Sequence, residues 1–519
     1  MGSLRMLGAA LALIALLGAR AAAAAQAPRA DLDAYVQRAM RQWKVPGLAV
    51  AVVKDGKVAL ARGYGVRELG KPDRVDADTL FDIGSNTKAF TAAALGTLVS
   101  AGKIKWDDLV VTRVPGFRLD SPYVTEEITL RDLLSHRSGY CDPFPMWYTS
   151  DDTTANIIER LKFQKAAFGF RAHFCYDNAT YMVAAQFVPA ATGESWDRYV
   201  ATRLFAPLRM TRTVSTAAAV AAASDVARPH GEVDGKVQAI QSYWANNMDV
   251  FGPVGGINSS ANDMSHWLLM LLADGRYDGN EVLDPSIIRD METAQSLVQS
   301  DSDLQGWLHA QTPDTQFYTY GLGFFLQDYA GHKLVWHAGD IDGMASALAL
   351  VPDEHLAVVA LSNMNENRAP EGVVFEVLQA YLGLPHRDVS AALHAYIHEE
   401  EARSEAASRR IAAAGRAGSQ PARPLADYAG SYSDPLYGTA RIAQEDGHLV
   451  LRLGNPMFVG DLDGWNGNTF RVRWRYRFYG KTYVTFDLDA LGKPTRLALA
   501  EPSAHYERPP TPESAALDR

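Results

Sequence analysis

Ser85 and Lys88 lie three residues apart in Phe81-Asp82-Ile83-Gly84-Ser85-Asn86-Thr87-Lys88-Ala89-Phe90, and such a pair can do nucleophilic chemistry. A serine hydroxyl is almost fully protonated near pH 7 and needs a base within hydrogen-bond reach before it attacks. Positions three apart share a helix face, so a helical segment would bring the Lys88 amine to the Ser85 hydroxyl. A serine at a helix N-terminus also sits among free backbone N–H groups, which favour developing negative charge. Lysine serves as a base only when burial or neighbouring positive charge lowers its pKa. The following residues, Ala89 to Leu95, are apolar enough for a buried helix. Alone the tetrad is weakly specific, because a helix-capping serine followed by a surface lysine has the same spelling.

The elements around the tetrad follow from periodicity. A helical pattern from Asp31 to Trp43 is ended by Pro46-Gly47. Two β-rich runs, Leu48 to Lys54 and Lys57 to Tyr64, flank Asp55-Gly56, a preferred two-residue hairpin turn. Leu80-Phe81 leads into the Ser85 helix, which runs to Ala101-Gly102. A short helix, Thr129 to Leu134, precedes the polar loop Ser135-His136-Arg137-Ser138-Gly139, where the reading for His136 is a hydrogen bond that shapes the loop. The segment 140–174 is rich in aromatics, has few clear signals beyond a helix from Thr154 to Lys162, and could overhang a cleft. Phe174 to Thr180 is a polar turn opening an alanine-rich helix, with Asn178 as its N-cap candidate. Tyr320 to Phe324 and Lys333 to His337 read as strands, with His337-Ala338-Gly339-Asp340 at the end of the second. Strands Ala345 to Val351 and Leu356 to Leu361 and a helix, Phe375 to Leu382, close the region. Strands at both ends of this region predict one antiparallel sheet flanked by helices.

The C-terminal part has a different pattern. Residues 390–418 are rich in Ala, Glu and Arg and read as an exposed helix fading into a linker. Beyond Pro424, Leu449 to Leu453, Arg471 to Phe478 and Val484 to Leu488 alternate with period two, the mark of a small all-β domain with one face buried. The row Arg471, Arg473, Arg475, Arg477 reads as the solvated face of such a strand.

Of the 519 residues, 47% are hydrophobic and 21% charged, which suits two or more globular domains. A net charge of −10 argues against a nucleic-acid partner. Arg5, the apolar run Leu7 to Leu17 and the alanines up to Ala25 have the form of a secretory signal peptide, cleaved before Gln26. No later stretch is apolar enough to cross a bilayer, so no stable membrane insertion is expected after cleavage. Cys141 and Cys175 are the only cysteines, and export permits a disulfide between them; the sequence equally allows two buried thiols. Neither has a partner at metal-ligand spacing, so no metal is suggested.

Three pieces in this order, Ser85-x-x-Lys88, Tyr176-x-Asn178 and His337-x-Gly339, resemble the penicillin-recognising serine hydrolases. The Tyr-x-Asn form is that of the class C β-lactamase branch and its esterase and D-aminopeptidase relatives. Asp78 to Phe81, Leu133 to Gly139 and Gly255-Gly256 before Ser259-Ser260 also look like this branch. From Tyr428-Ala429-Gly430-Ser431-Tyr432 on, the chain resembles the lipocalin-like barrel appended to some of these hydrolases. The resemblance implies an α+β fold of the β-lactamase/transpeptidase type, an antiparallel sheet with flanking helices and a helical subdomain, plus a C-terminal all-β barrel-like domain. The expected division is a signal peptide over 1–25, the hydrolase domain over 30–385, a helical linker over 386–423 and the barrel over 424–510.

By the same resemblance Ser85 attacks an acyl carbon to form an acyl-enzyme, and either Lys88 or Tyr176 takes its proton. Asn178 would hold Lys88 and touch a substrate amide. The backbone N–H groups of Ser85 and Asp340, beside Gly339, would form the oxyanion hole. His337 stands where the family usually has lysine; histidine is charged only part of the time near pH 7, which weakens the grip on a substrate carboxylate. The resemblance implies no metal and no organic cofactor. The expected substrate is a small molecule or peptide, with hydrolysis of peptides, amides or esters ahead of strict β-lactamase or penicillin-binding activity and of a non-catalytic wall-binding role. For the barrel, capping the cleft, homo-oligomerisation and binding of wall material all stay open.

Overall fold

The computed structural model describes residues 29–299, 305–415, 420–500 and 504–508. The expected signal peptide lies outside the described residues.

Eight antiparallel strands form the central sheet. They are β1 (Gly47–Lys54), β2 (Lys57–Gly65), β3 (Ser296–Leu297), β4 (Tyr318–Tyr320), β5 (Phe325–Tyr329), β6 (His332–Ile341), β7 (Met344–Val351) and β8 (Leu356–Ser362), in the spatial order β2-β1-β8-β7-β6-β5-β4-β3. The first hairpin thus pairs with the last strand, Leu48 opposite Ser362, which joins the two ends of the domain. β1, β7 and β8 are buried along nearly their whole length, because helices cover both faces of the sheet. Helix α1 (Arg29–Gln42) and helix α5 (Ala369–Leu382) pack on one face. On the other lie α4 (Ala261–Leu272) and the helical region around α2 (Thr87–Ser100), where Phe90 stacks on Trp267 at 4.0 Å.

Several elements differ in detail from the sequence expectation. Tyr320 to Phe324 is not one strand: Tyr320 ends β4 and Phe325 starts β5, with Gly321 to Phe324 forming the turn. A turn here lets Gly323, at φ +86°, lie against the backbone of Lys88 and Ala89. His337 to Asp340 lie at the end of their strand as expected, β6 stopping one residue on at Ile341 and turning at Asp342-Gly343 into β7. The N-cap of helix α3 (Asn178–Ala185) is Asp177, whose carboxylate accepts from the Ala179 N–H, and not Asn178. Asn178 is therefore released for another task. Helix α6 (Val389–Ala414) begins docked and not exposed: Leu393 is buried, and Ser390 Oγ accepts from Trp43 Nε1 at 3.0 Å.

The C-terminal eight strands, from Gly430–Asp434 to Ala504–Glu507, close into a barrel, the last pairing with the first. Closure satisfies both edges that an open sheet would expose. The arginine row lies on the outer side and is ion-paired: Arg471 and Arg473 to Asp463, Arg475 to Asp461, Arg477 to Asp234 of the hydrolase domain. Asn455 in a barrel loop is buried; its side chain donates to the Tyr148 carbonyl and its N–H to that of Thr149.

Cys141 and Cys175 form a disulfide, their Cα atoms 5.1 Å apart. It ties the aromatic loop after Tyr140 to the turn that opens α3. The bridge closes a span of 34 residues, for which loop-closure entropy gives about 4 kcal/mol of stabilisation. We expect the Cys141→Ser/Cys175→Ser variant to lose roughly that much stability in urea unfolding; an unchanged midpoint would show that the bridge restrains nothing in the unfolded chain.

Candidate active site

The site begins at a sharp junction. Strand Phe81–Asp82 ends, Gly84 takes φ +52°, and a single 3-10 turn, Gly84–Asn86, leads into α2. Buried Asp82 accepts from the Gly84 N–H at 2.8 Å and fixes the bend. Ser85 sits half-buried at the start of the helical run, and Lys88 one turn later is fully buried.

Lys88 Nζ makes three hydrogen bonds, to Ser85 Oγ at 2.9 Å, Asn178 Oδ1 at 2.8 Å and the Val254 carbonyl at 3.1 Å. The last acceptor belongs to the C-terminal turn of helix Tyr243–Gly255, where carbonyls lack intrahelical partners. Its neighbour, the Pro253 carbonyl, accepts from Thr91 of α2 at 2.6 Å. None of the three acceptors is a carboxylate. Burial is therefore the largest influence on the amine; it outweighs the charges of Asp142 and Asp177 and brings the Lys88 pKa down to about 7. Near neutrality the amine exists in both forms, as a general base requires.

Asn178 Nδ2 donates to Asp142 Oδ2 at 2.6 Å, which orients the amide with its oxygen toward Lys88. Trp147 Nε1 donates to the other Asp142 oxygen at 2.8 Å. Burial raises the Asp142 pKa to about 6 against these donors. Asp177, also buried and facing the charge of Asp142, is raised well above the usual carboxylate range. Sequence reasoning missed Asp142. Its only pointer was adjacency to Cys141, since the disulfide and the Asp142 N–H to Tyr176 carbonyl bond, 3.1 Å, bring it to the site.

Tyr176 lies beside Ser85, and its ring centroid is 4.9 Å from Lys88 Nζ. Burial pushes its phenol well above 10, so it stays protonated at neutral pH. His136 packs on that ring at 4.4 Å and accepts the Asp177 N–H at its Nδ1, 3.1 Å. Burial and then the charge of Lys88 lower its pKa, so it shapes the loop as a neutral group.

The third motif meets Ser85 through backbone. A Cβ on Gly339 would lie 2.1 Å from the Ile83 carbonyl oxygen and 2.9 Å from Ser85 N, so only glycine fits. β6 and β7 join through a two-residue turn, which makes Asp340 and Ala345 the pair that does not exchange hydrogen bonds. β5 stops pairing at Trp336. The Asp340 N–H thus points away from the ladder, against Gly84, whose Cβ position would be 2.9 Å from it. Gly84 and Gly339 thus let the backbone of Asp340 and that of Ser85 come close together, which brings near each other the two N–H groups expected to receive an oxyanion.

His337 departs from its expected part-time charge. Its Nδ1 bonds the Ala338 carbonyl, which only accepts, so the Nε2 lone pair takes the Tyr320 hydroxyl at 3.0 Å. Burial, and then the charge of Lys88, holds its pKa at about 3. The ring is neutral throughout the physiological range. The Arg368 guanidinium, which reaches Asp340 on this strand, is held by Asp340 and Glu371.

A family model described as Beta-lactamase matches residues 32–380. The chain belongs to the beta-lactamase family. A second model, a domain of unknown function (DUF3471), matches residues 414–510, the barrel. The unguisins hydrolase ungD of Aspergillus violaceofuscus is 28% identical over 382 residues, 69% of this chain and 65% of that protein. Protein flp of Staphylococcus aureus (strain COL) is 26% identical over 349 residues, 66% of this chain and 64% of its own length. The chain thus spans just under two thirds of these relatives. Among solved structures, an octameric penicillin-binding protein homologue from Pyrococcus abyssi superposes with a TM-score of 0.58 at 21% identity, covering 92% of this chain and all of that one. A structure titled as SurE with D-Leu gives a TM-score of 0.51 at 19% identity, covering 93% of this chain and 99% of that one. At these identities the two structures establish the fold.

The electrostatics predict a pH profile. If neutral Lys88 is the base, kcat/KM for an ester should rise with pH along an acid limb with an apparent pKa near 7. Asp142→Asn removes a charge that raises the Lys88 pKa, so the limb should move to lower pH. A limb that stays in place, or moves upward, would exclude this coupling.

Proposed function

We propose that the protein is an exported serine hydrolase that acts through a Ser85 acyl-enzyme on peptide, amide or ester bonds, with D-amino-acid-containing peptides and small esters as the substrate classes. The observation that carries this is the Lys88 amine: fully buried, 2.9 Å from Ser85 Oγ, with a pKa near 7. Neutral Lys88 takes the Oγ proton as Oγ bonds to the acyl carbon, and the N–H groups of Ser85 and Asp340 receive the oxyanion. The protonated Tyr176 suits proton delivery to the leaving group better than proton abstraction. Water then releases the acyl group by the same steps in reverse. Lys88 is the base in this reading, and Asn178, fixed by Asp142, keeps its amine aimed at Ser85.

The relative described as a hydrolase supports the activity class. The disulfide supports export, since such bonds persist in oxidising compartments. The neutral His337 favours peptides and esters over β-lactams, whose carboxylate would find no charge there. Strict β-lactamase or penicillin-binding activity is the second reading, supported by the shared constellation and decided by the lifetime of the acyl-enzyme. Homo-oligomerisation is a further reading for the barrel, suggested by the neighbour described as octameric.

The test is a panel of p-nitrophenyl esters, D-amino-acid amides and a fluorescent penicillin, with mass spectrometry of the intact protein. Ester or D-amide turnover should fall at least about a thousandfold in Ser85→Ala. A lasting penicillin adduct on Ser85 would move the assignment to a penicillin-binding enzyme, and fast drug turnover to a β-lactamase. Turnover that survives Ser85→Ala, or none on any substrate, would sink the hydrolase reading.

A further inference from the structure

A cavity of about 610 Å³ lies where three parts of the chain meet: the rim of the active site, helix α6 and the barrel. It shares two walls with the site. One is the β6–β7 turn, where Asp342 follows Asp340 by two residues. The other is the loop that begins at Asp142, which presents Phe144 and Tyr148. The Tyr148 hydroxyl donates to Asp342 at 2.7 Å and links the walls. The barrel supplies the facing side with Trp474, Phe478 and Tyr479. The lining is thus strongly aromatic, as binding cavities commonly are.

The polar groups on the lining are sorted by what already holds them. Lys44 is paired with Glu232 at 2.6 Å, and Glu401 with His398 at 2.8 Å. Lys481 stands on the barrel wall. Among the described residues two groups on the lining have neither a hydrogen-bond nor an ion-pair partner: the Lys481 ammonium on the barrel side and the Glu366 carboxylate on the hydrolase side. Glu366 is exposed to solvent, and desolvation by the protein atoms around its carboxylate, then the charge of Asp340, raises its pKa. Its backbone is held at φ +45°, which a glutamate rarely adopts. The nearby guanidinium of Arg368 is spent on Asp340 and Glu371. An unpaired carboxylate among aromatic rings complements an organic cation by charge and by cation–π attraction. It repels a carboxylate.

We propose that this cavity is a substrate subsite and that it takes an aromatic group carrying a free ammonium, with Glu366 as the anchor and the barrel as the facing wall. The proposal rests on the Ser85 reading and deepens it: the preferred substrates are peptides, amides or esters with an unblocked amine beside an aromatic side chain. The barrel is then part of the specificity of the hydrolase.

Binding can be read without turnover. Full-length Ser85→Ala protein is titrated calorimetrically at pH 7 with phenethylamine, 2-phenylethanol and 3-phenylpropionate. The amine should bind about tenfold or more tightly than the alcohol, with the carboxylate weakest. In Ser85→Ala/Glu366→Gln the amine should lose that preference; circular dichroism and the urea midpoint establish that this variant is folded. Equal binding of amine and alcohol, tighter binding of the carboxylate, or a preference that survives Glu366→Gln would overturn the proposal. Kinetics on the wild type give the second arm. Phenylalanine p-nitroanilide should be cleaved with a KM at least several-fold below that of its N-acetyl form, and the reverse order would also overturn it. Ester turnover that persists in Ser85→Ala would remove the hydrolase reading while leaving the calorimetric result to stand by itself.

Discussion

A lysine amine held in the protein interior without a carboxylate against it is the constraint on which the site depends. In water such a group is charged near pH 7; in the interior its charge is costly, and the amine compromises at a pKa near 7. The surroundings keep it there. Its three acceptors are a hydroxyl, an amide oxygen and a main-chain carbonyl, all neutral. The carboxylate of Asp142 acts one group away, through Asn178. Direct contact would hold the amine protonated and end its use as a base. The order carboxylate, amide, amine, hydroxyl therefore keeps the orienting power of a charge while withholding most of its field.

Backbone does the complementary work. Strand β6 runs past His337 and brings Gly339 against Ile83 and Ser85. The Asp342-Gly343 turn sets the pairing so that the Asp340 N–H is free of the ladder. The Gly321 to Phe324 turn, read from sequence as strand, lets Gly323 lie against the first turn of α2. A strand and two turns that are neighbours in sequence, all within residues 321–343, thus grip the distant N-terminal end of α2, and the approaches at Gly323 and Gly339 are made where a side chain would not fit.

The barrel is joined to this machinery at its most irregular part. The loop after Tyr140 carries Asp142 and Tyr148; the disulfide holds one end and Asn455 of the barrel holds the backbone near the other. The arginine row, expected as one alternating strand, is on a strand only as far as Trp474, with Arg477 in a 3-10 turn, and is tied up in ion pairs with Asp463, Asp461 and Asp234, the last of which helps dock the barrel. Pairs this exposed add little stability singly. Their effect is on orientation.

The spacing of Ser85 and Lys88, the period-two runs, the Asp55-Gly56 turn and the order of the three motifs are local facts; they were enough for the sheet with its helices and for an all-β C-terminal domain, whose barrel form was expected only from the resemblance, and they picked out the residues expected to react. Local spacing could not say that Cys141 and Cys175 pair, since that needs their Cα atoms at 5.1 Å. It gave Asn178 a capping role that Asp177 takes, because the two neighbours compete for one helix end and only packing chooses. It left His337 a part-time cation, whereas burial beside Lys88 and Tyr320 makes it neutral. It was silent on Asp142 and Glu366, which have no motif of their own. Residue types and their order along the chain determine which groups are available. Protonation state, hydrogen-bond partner and access depend on burial and on distances between segments tens to hundreds of residues apart, and those quantities exist only once the chain has folded.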